Sequence, residues 1–431
     1  MTRRVLFVSP HFPPDSSAGT HRVRLLAPHM AGQGWEPTVL TVDPRDYEGR
    51  MDAALLASVP ESVRVITARA WPASVTRSLG IGDLGLRAYR GLKAAATALL
   101  AREPFDAVFI TIYPTYPALL GPSLKRNFGV AFVLDYQDPW VGEWGRSVGP
   151  DAEGRPDFKS RASRWLASRL EPIALTAADG VTAVSSATFE QALARTPSAR
   201  PRATAELPIG WDRRDLQFIP PPSQPFAEDG SVHLSYVGTL LPTGFDTLRA
   251  LFAALASERG RNRDVARIRL HFVGTSNLRS DDAPPRVLPI AAEYGLADVV
   301  TEHASRLDYF DALAVLRASN AVLLLGSHER HYTPSKVFPA LVAERPVFAL
   351  MHEASNAADL LHRIGRAPTV RLITYGDEGV HARGADIGAA LTALAADHRY
   401  SADAIDPAVL EPTSACALAG TLADVLNRCV A

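Results

Sequence analysis

The chain has 431 residues, which at roughly 150 residues per domain allows two or three domains. Its 45 basic and 46 acidic residues leave a net charge of -1, which excludes a surface built throughout for nucleic acid. An apolar share of 47% excludes a wholly disordered chain. The two cysteines, Cys416 and Cys429, fall in one helical stretch, about 19 Å apart at ~1.5 Å rise per residue, and cannot pair there. No disulfide framework or cysteine-rich metal site is available, which suits a reducing cytosol.

Along the chain, residues 5–9 read as a buried strand, too short for the core of a signal peptide. No apolar run reaches the ~18 residues of a membrane span. A helix is expected over 20–32, then strands over 37–42, 63–68, 107–112, 130–135 and 181–185. Most of these lack polar alternation, the mark of a parallel sheet covered by helices on both faces. Residues 197–202 and Pro220-Pro221-Pro222 read as an inter-domain region. The pattern then restarts, with strands over 232–237, 268–273, 299–302, 321–325 and 347–351. Helices over 245–258, 289–294, 309–318 and 336–343 alternate with them, and helical spacing over 378–397 and 414–431 closes the chain. Two such series make two doubly wound α/β domains, whose ligands bind at the carboxyl ends of the strands.

The loops after the strands are therefore where chemistry is sought. Ser9-Pro10-His11-Phe12-Pro13-Pro14 continues through Ala18-Gly19 into a helix N-terminus that suits an anion. Asp135-Tyr136-Gln137-Asp138-Pro139-Trp140 sets two carboxylates and an aromatic at a strand end, and a carboxylate there can take a proton. Val237-Gly238-Thr239 and Val273-Gly274-Thr275 offer backbone N–H groups to phosphate oxygens, or are plain turns. Residues 328–338 gather His328, Arg330, His331, Ser335 and Lys336 ahead of a helix. Only four lysines occur, and Lys336 at a helix N-terminus opposes the helix dipole unless an anion binds there. Gly80-Ile81-Gly82-Asp83-Leu84-Gly85 matches a dinucleotide pattern but follows no buried strand, so NAD or FAD is not expected. No metal-ligand spacing accompanies the histidines, and no metal is expected. Residues 155–169, with Lys159, Arg161, Arg164 and Trp165, form a basic amphipathic stretch: a solvated helix face or a contact for anionic lipid.

Together these loops resemble the GT-B glycosyltransferases, specifically the family-four group. The first loop is similar to that family's Pro-Pro and Gly-Gly loop, with Ala18-Gly19 in place of two glycines. Residues 135–140 are similar to the Asp-x-Arg-Asp-x-Trp segment of bacterial amino-sugar transferases, with Gln137 at the Arg position. Leu207-Pro208-Ile209-Gly210-Trp211-Asp212 resembles the segment that opens the donor domain, and Pro334-Ser335-Lys336-Val337-Phe338 resembles the donor-site Ser-Lys-x-Phe-Glu. Two departures stand out. Pro339 replaces the glutamate that usually holds the nucleotide ribose, and no basic residue follows the Gly238 loop, for which Arg306 is the candidate replacement.

The resemblance implies two facing Rossmann-like domains, with an acceptor domain over 1–205 and a nucleotide-sugar domain over 206–400. It implies a helical segment over 401–431 that returns to the first. It also implies a cytoplasmic hexosyltransferase that moves a sugar from a nucleotide sugar, UDP-linked as the first choice, with retention. The acceptor is a hydroxyl or amine of a small molecule or a lipid-linked acceptor, the latter with peripheral contact at the inner membrane face. In this scheme Asp138 and Lys336 are catalytic. Ala18, Gly19, Gly238, Thr239, Gly274, Arg306, Ser335, Lys336 and Val337 bind donor; His11, Gln137 and Trp140 bind acceptor. Neither cofactor nor metal is required. Two rival readings are a nucleotide-sugar 2-epimerase and a non-catalytic partner protein that has lost its donor site at Pro339.

Overall fold

The computed structural model describes residues 2–142, 158–222, 226–276, 283–327 and 336–431. It divides into two compact units: Met1–Asp212 with Thr413–Ala431, and Arg213–Pro412. Each is a parallel sheet covered by helices.

The first unit holds β1 (Arg3–Val8), β2 (Trp35–Val42), β3 (Arg64–Ala68), β4 (Ala107–Ile112), β5 (Ala131–Tyr136), β6 (Gly180–Ala183) and β7 (Ala203–Glu206), in the order β3-β2-β1-β4-β5-β6-β7. Every residue of β4 and β5 is buried, as expected of central strands that are apolar but for Thr111 and Asp135. Phe7 of β1 lies between Val39 of β2 and Phe109 of β4, with the two phenyl rings edge to face at 5.2 Å. The second unit holds β8 (Val232–Val237), β9 (Ile268–Val273), β10 (Val300–His303), β11 (Ala321–Leu325), β12 (Val347–His352) and β13 (Val370–Tyr375), in the order β10-β9-β8-β11-β12-β13. In both sheets the chain runs outward to one side and then restarts on the other. The reversal falls between β1 and β4 in the first and between β8 and β11 in the second.

Two strands go beyond the sequence reading. β7 and β13 are edge strands paired on one side only. β7 alternates exposed and buried positions, and Arg371 interrupts the apolar run of β13 while its guanidinium donates to the Ala393 and Asp397 carbonyls. The segment over 197–202, read as inter-domain, lies inside the first unit ahead of β7. That unit continues past residue 205 to Asp212, because Leu207 is buried in its core and His29 Nε2 meets Asp212 Oδ2 at 2.8 Å.

The returning segment begins at Thr413, not at residue 401. Asp406 N–H donates to the Ile364 carbonyl at 2.7 Å and Ser401 N–H to Thr369 Oγ1 at 2.9 Å, which holds the preceding residues to the second unit. The closing helix, Ala415–Val430, starts at Ser414, whose hydroxyl accepts from Ala417 N–H at 3.3 Å. Its Leu418, Leu422, Leu426 and Cys429 form one stripe. That stripe joins Val5, Phe7, Phe109 and Val133 in a single core layer over the sheet of the first unit.

Leu422 is fully buried there. Leu422→Ala is expected to destabilise the first unit by about 2–5 kcal/mol. All six tryptophans lie between residues 35 and 211, so urea unfolding followed by tryptophan fluorescence reads this unit selectively.

Candidate functional site

In an open parallel sheet, ligands collect where the strand order reverses. In the first unit that point carries the loops after β1 and β4. The loop after β1 is tied down through its carbonyls. Pro10 O accepts from the Tyr47 hydroxyl at 2.9 Å and from Thr41 Oγ1 at 3.2 Å, and His11 O accepts from Ser9 Oγ at 2.8 Å. Burial pushes the Tyr47 phenol well up, which keeps it a donor. His11 Nδ1 donates to Asp15 Oδ2 at 2.6 Å, and Asp15 also accepts from the Ser17 and Thr20 hydroxyls. The imidazole lies between Tyr47 and Tyr113, with ring centroids at 6.3 and 5.6 Å. Gly19 makes the close approach of Tyr113 feasible: a Cβ there would meet the Tyr113 ring at 3.1 Å and its carbonyl at 3.3 Å. Ala18 is exposed beside it at the start of helix Thr20–Met30.

The loop after β5 meets the sequence expectations unevenly. Asp138 is exposed and, among the described residues, makes no hydrogen bond or ion pair. Gln137 is buried, and its Nε2 has no partner among the described residues. Trp140 does not present a face to a ligand: it is 2% exposed and packs in the core that contains Tyr136 and Leu175. An indole this size gains more from core burial than from standing in water, and it anchors the loop from below.

Asp135, the other carboxylate of that loop, is fully buried. Arg22 Nε donates to it at 2.9 Å and Thr182 Oγ1 at 2.7 Å, while the Arg22 fork also donates to the Leu207 carbonyl at 2.6 Å and the Pro208 carbonyl at 3.0 Å. Both side chains of the ion pair are entirely shielded from solvent. Burial raises the carboxyl, and the guanidinium and hydroxyl beside it oppose that shift. One arginine thus joins the helix after the first loop, the end of β5 and the segment over 207–212.

In the second unit the reversal point carries the loops after β8 and β11. Gly238 has φ +112°, in the range that favours glycine, and a Cβ there would lie 2.8 Å from Lys336 Cε. Lys336 folds into that space. Its Nζ donates to the Tyr236 hydroxyl and, at 2.5 Å, to the Thr239 carbonyl, and it stands 4.3 Å from the centre of the Tyr236 ring. Burial pushes the ammonium down to about 7. Gly274 adjoins both groups: a Cβ on it would be 3.7 Å from Arg306 Cα and from Gly238. The N–H groups of Gly238, Leu240, Gly274 and Ser276 already donate to Val273, Thr275, His303 and Ala304 carbonyls. These loops therefore serve by making room rather than by offering amides. Glu302 accepts from Arg286, Val287 and Leu288 N–H, so the N-terminus of helix Leu288–Glu293 is already capped.

Val337 is buried at the start of helix Val337–Val342, with Pro339 in its first turn, where a missing N–H costs no helical bond. Ser335, with the histidine pair at 328 and 331, lies outside the described residues. Structure brings together Gly238, Thr239, Gly274, Arg306 and Lys336 in one unit, and His11, Ala18 and Gly19 in the other. Sequence reasoning passed over Asp15, Tyr113 and Tyr236. The available signal was position alone, since each stands at or just after the end of a central strand. Among the described residues no group of three His, Cys, Asp or Glu side chains is placed to hold a metal.

Residues 18–209 match the family model of the glycosyl transferase 4-like domain. Solved structures with the same two-domain fold include sucrose-phosphate synthase from Thermosynechococcus elongatus. It is 18% identical, covers 99% of this chain and 94% of that one, and gives a TM-score of 0.57. HepE from Anabaena, in complex with UDP and glucose, is 13% identical over 99% and 97% of the two chains, with a TM-score of 0.55. A glycosyltransferase from Rickettsia africae is 12% identical over 99% and 98%, with a TM-score of 0.57. No curated protein matches by sequence. The fold is GT-B, the two-domain architecture of these solved structures.

Removing one partner of a buried pair leaves the other charge uncompensated, at about 3–5 kcal/mol. Arg22→Met is expected to cost that much in urea unfolding. The double variant Arg22→Met with Asp135→Leu is expected to recover part of the loss, so the two changes will be far from additive.

Proposed function

We propose that the chain transfers a sugar from a nucleotide sugar, UDP-linked as the first choice, to a hydroxyl or amine of its acceptor, and that the second unit binds the donor. The observation that carries this reading is Lys336, a buried amine held at the strand reversal beside two glycines. Among the described residues no anion stands beside this ammonium. The diphosphate of a donor supplies one, and it gathers further charge as the glycosidic bond breaks. Preorganised cations aimed at that developing charge are an effective source of rate enhancement. Lys336, with Arg306 nearby, fills that role without calling on a metal. Structures of HepE with UDP support a uridine donor. The family-four resemblance favours retention. Pro339 has no side-chain acceptor for a ribose hydroxyl, so ribose recognition falls to other groups. Asp138, exposed after β5, is suited to orient acceptor or sugar rather than to attack.

For localisation, we infer a cytoplasmic enzyme with peripheral membrane contact. No described helix is long and apolar enough to cross a membrane. Helix Phe158–Ala177 exposes Trp165 and Ile173 beside Arg161 and Arg169, and the Arg169 guanidinium stands 5.2 Å from the Trp165 ring centre. This composition suits an anionic lipid surface and a lipid-linked acceptor. Co-sedimentation with phosphatidylglycerol vesicles is expected for the wild type and reduced by Trp165→Ser; equal binding by both contradicts the contact.

The donor reading is tested by calorimetry with UDP, GDP, ADP and dTDP. One nucleotide is expected to bind, and Lys336→Met to weaken it at least tenfold. Because burial holds the unliganded amine near 7 and a diphosphate favours its charged form, binding at pH 8 is expected to take up protons. The uptake appears as a binding enthalpy that differs between Tris and HEPES, and it is lost in Lys336→Met. By the same linkage, the unfolded chain binds more protons at this group between pH 7 and its ordinary value of 10.5. Unliganded stability from Lys336 therefore rises with pH through that window.

A further inference from the structure

We propose that Tyr236 is a positioning residue for donor binding: its hydroxyl, with the Thr239 carbonyl, forms a seat that fixes the Lys336 ammonium and leaves one N–H for a phosphate oxygen. This role rests on the donor reading above and deepens it, and every group in it belongs to the second unit. Three observations carry it. First, the hydroxyl is turned the right way. Tyr236 donates its one proton to the Thr239 carbonyl at 3.0 Å, so a lone pair is left for Nζ, which donates to it. Second, the seat takes two of the three ammonium N–H groups. One goes to the hydroxyl and one to the Thr239 carbonyl at 2.5 Å, and among the described residues the third has no acceptor. Third, the hydroxyl is held by the rigid part of the unit. Tyr236 lies on β8 beside Phe272 of β9, with ring centroids at 5.7 Å, and is buried in the core. Lys336 instead enters from the start of the short helix Val337–Val342, on a flexible four-carbon stem.

The seat acts on the ammonium in two ways. An oxygen lone pair facing an ammonium favours its charged form, so the hydroxyl opposes the burial that pushes Lys336 down to about 7. The Tyr236 ring, 4.3 Å from Nζ, acts in the same sense. Tyr236 is the titratable group that faces Nζ from β8, and Arg306 stands across Gly274 in the loop after β10. The neighbouring strand β11, Ala-Val-Leu-Leu-Leu, brings no titratable group. The seat also orders the stem before a ligand arrives. A free lysine loses rotamer freedom when it meets a phosphate, and a seated one has already lost it. Gly238 leaves the space that the stem crosses, since a Cβ there would lie 2.8 Å from Cε. Removal of the hydroxyl is therefore expected to lower both the affinity for a diphosphate and the titration midpoint of the amine.

The test is Tyr236→Phe in the full chain, which keeps the ring and its packing and removes the hydroxyl. In the unliganded chain, isotope labelling of lysine alone gives NMR signals from four side chains, and Lys336→Met identifies that of Lys336. Its titration midpoint is expected near 7 in the wild type and lower in Tyr236→Phe, with the other three lysines unmoved. Calorimetry with the nucleotide that the wild type binds, UDP as the first choice, is expected to show a loss of about 3–10-fold in Tyr236→Phe, the range of one hydrogen bond. The same change in a Lys336→Met background is expected to bring no further loss, so the two effects will not add. An unmoved Lys336 midpoint, or nucleotide affinity equal to wild type, overturns the seat. So does an equal loss in both backgrounds, since the hydroxyl then acts without the lysine. Tighter binding by Tyr236→Phe overturns it as well, because Tyr236 then holds the lysine back from its ligand. If the wild type binds none of UDP, GDP, ADP and dTDP, the donor reading fails and the role of Tyr236 in donor binding falls with it. Wild-type binding with an unaffected Tyr236→Phe overturns the seat alone.

Discussion

The buried pair between Arg22 and Asp135 is the constraint on which the arrangement of the first unit depends. Neither side chain touches water. A charge in that position is tolerated only when it is paired and its remaining donors are used. Arg22 meets the condition by reaching Asp135 with Nε and the Leu207 and Pro208 carbonyls with its two terminal nitrogens. The pair fixes three sequence segments against one another: the helix after the first loop, the end of β5 and the exit of the chain from the unit. The residues at the strand ends then inherit their positions from it. Gly19 precedes Arg22 by three residues and His11 by eleven, and Gln137 and Asp138 follow Asp135.

The second unit carries a cation that, among the described residues, has no counter-ion. Lys336 is enclosed by an aromatic ring, a hydroxyl and a carbonyl, none of which carries charge. Its ammonium is depressed because burial disfavours the charged form. Such a group is poised for an anion, since a bound diphosphate relieves the desolvation that the fold imposes. Gly238 is the local requirement, because any side chain there would displace the lysine. Pro339, in the first turn of the helix that follows Lys336, leaves this geometry intact and removes only an acceptor side chain.

Much of the fold was legible in the sequence because buried parallel strands are written as apolar runs. β4, β8, β9 and β11 have the expected bounds to the residue. β7 and β13 escaped because edge strands need not be apolar on both faces, and Arg371 satisfies its guanidinium through carbonyls rather than by leaving the strand. At the site, the loops were legible but the directions of their side chains were not. Trp140 turned into the core, Asp135 became structural, and Asp138 alone of the two carboxylates stands exposed. Lys336 and Tyr236, 100 residues apart, meet only through the topology of the sheet, and no local pattern links them. The His11–Asp15 contact spans four residues and is local, yet an imidazole and a carboxylate at that spacing in a proline-rich loop have no fixed geometry until the loop is pinned by Thr41 and Tyr47.

The claim that a donor diphosphate occupies the reversal point of the second sheet is tested most directly by a crystal structure of the full chain with UDP. The account predicts diphosphate oxygens within hydrogen-bond distance of Lys336 Nζ, beside Gly238 and Gly274. A diphosphate bound elsewhere, with Lys336 still enclosed by Tyr236 and Thr239, would contradict it.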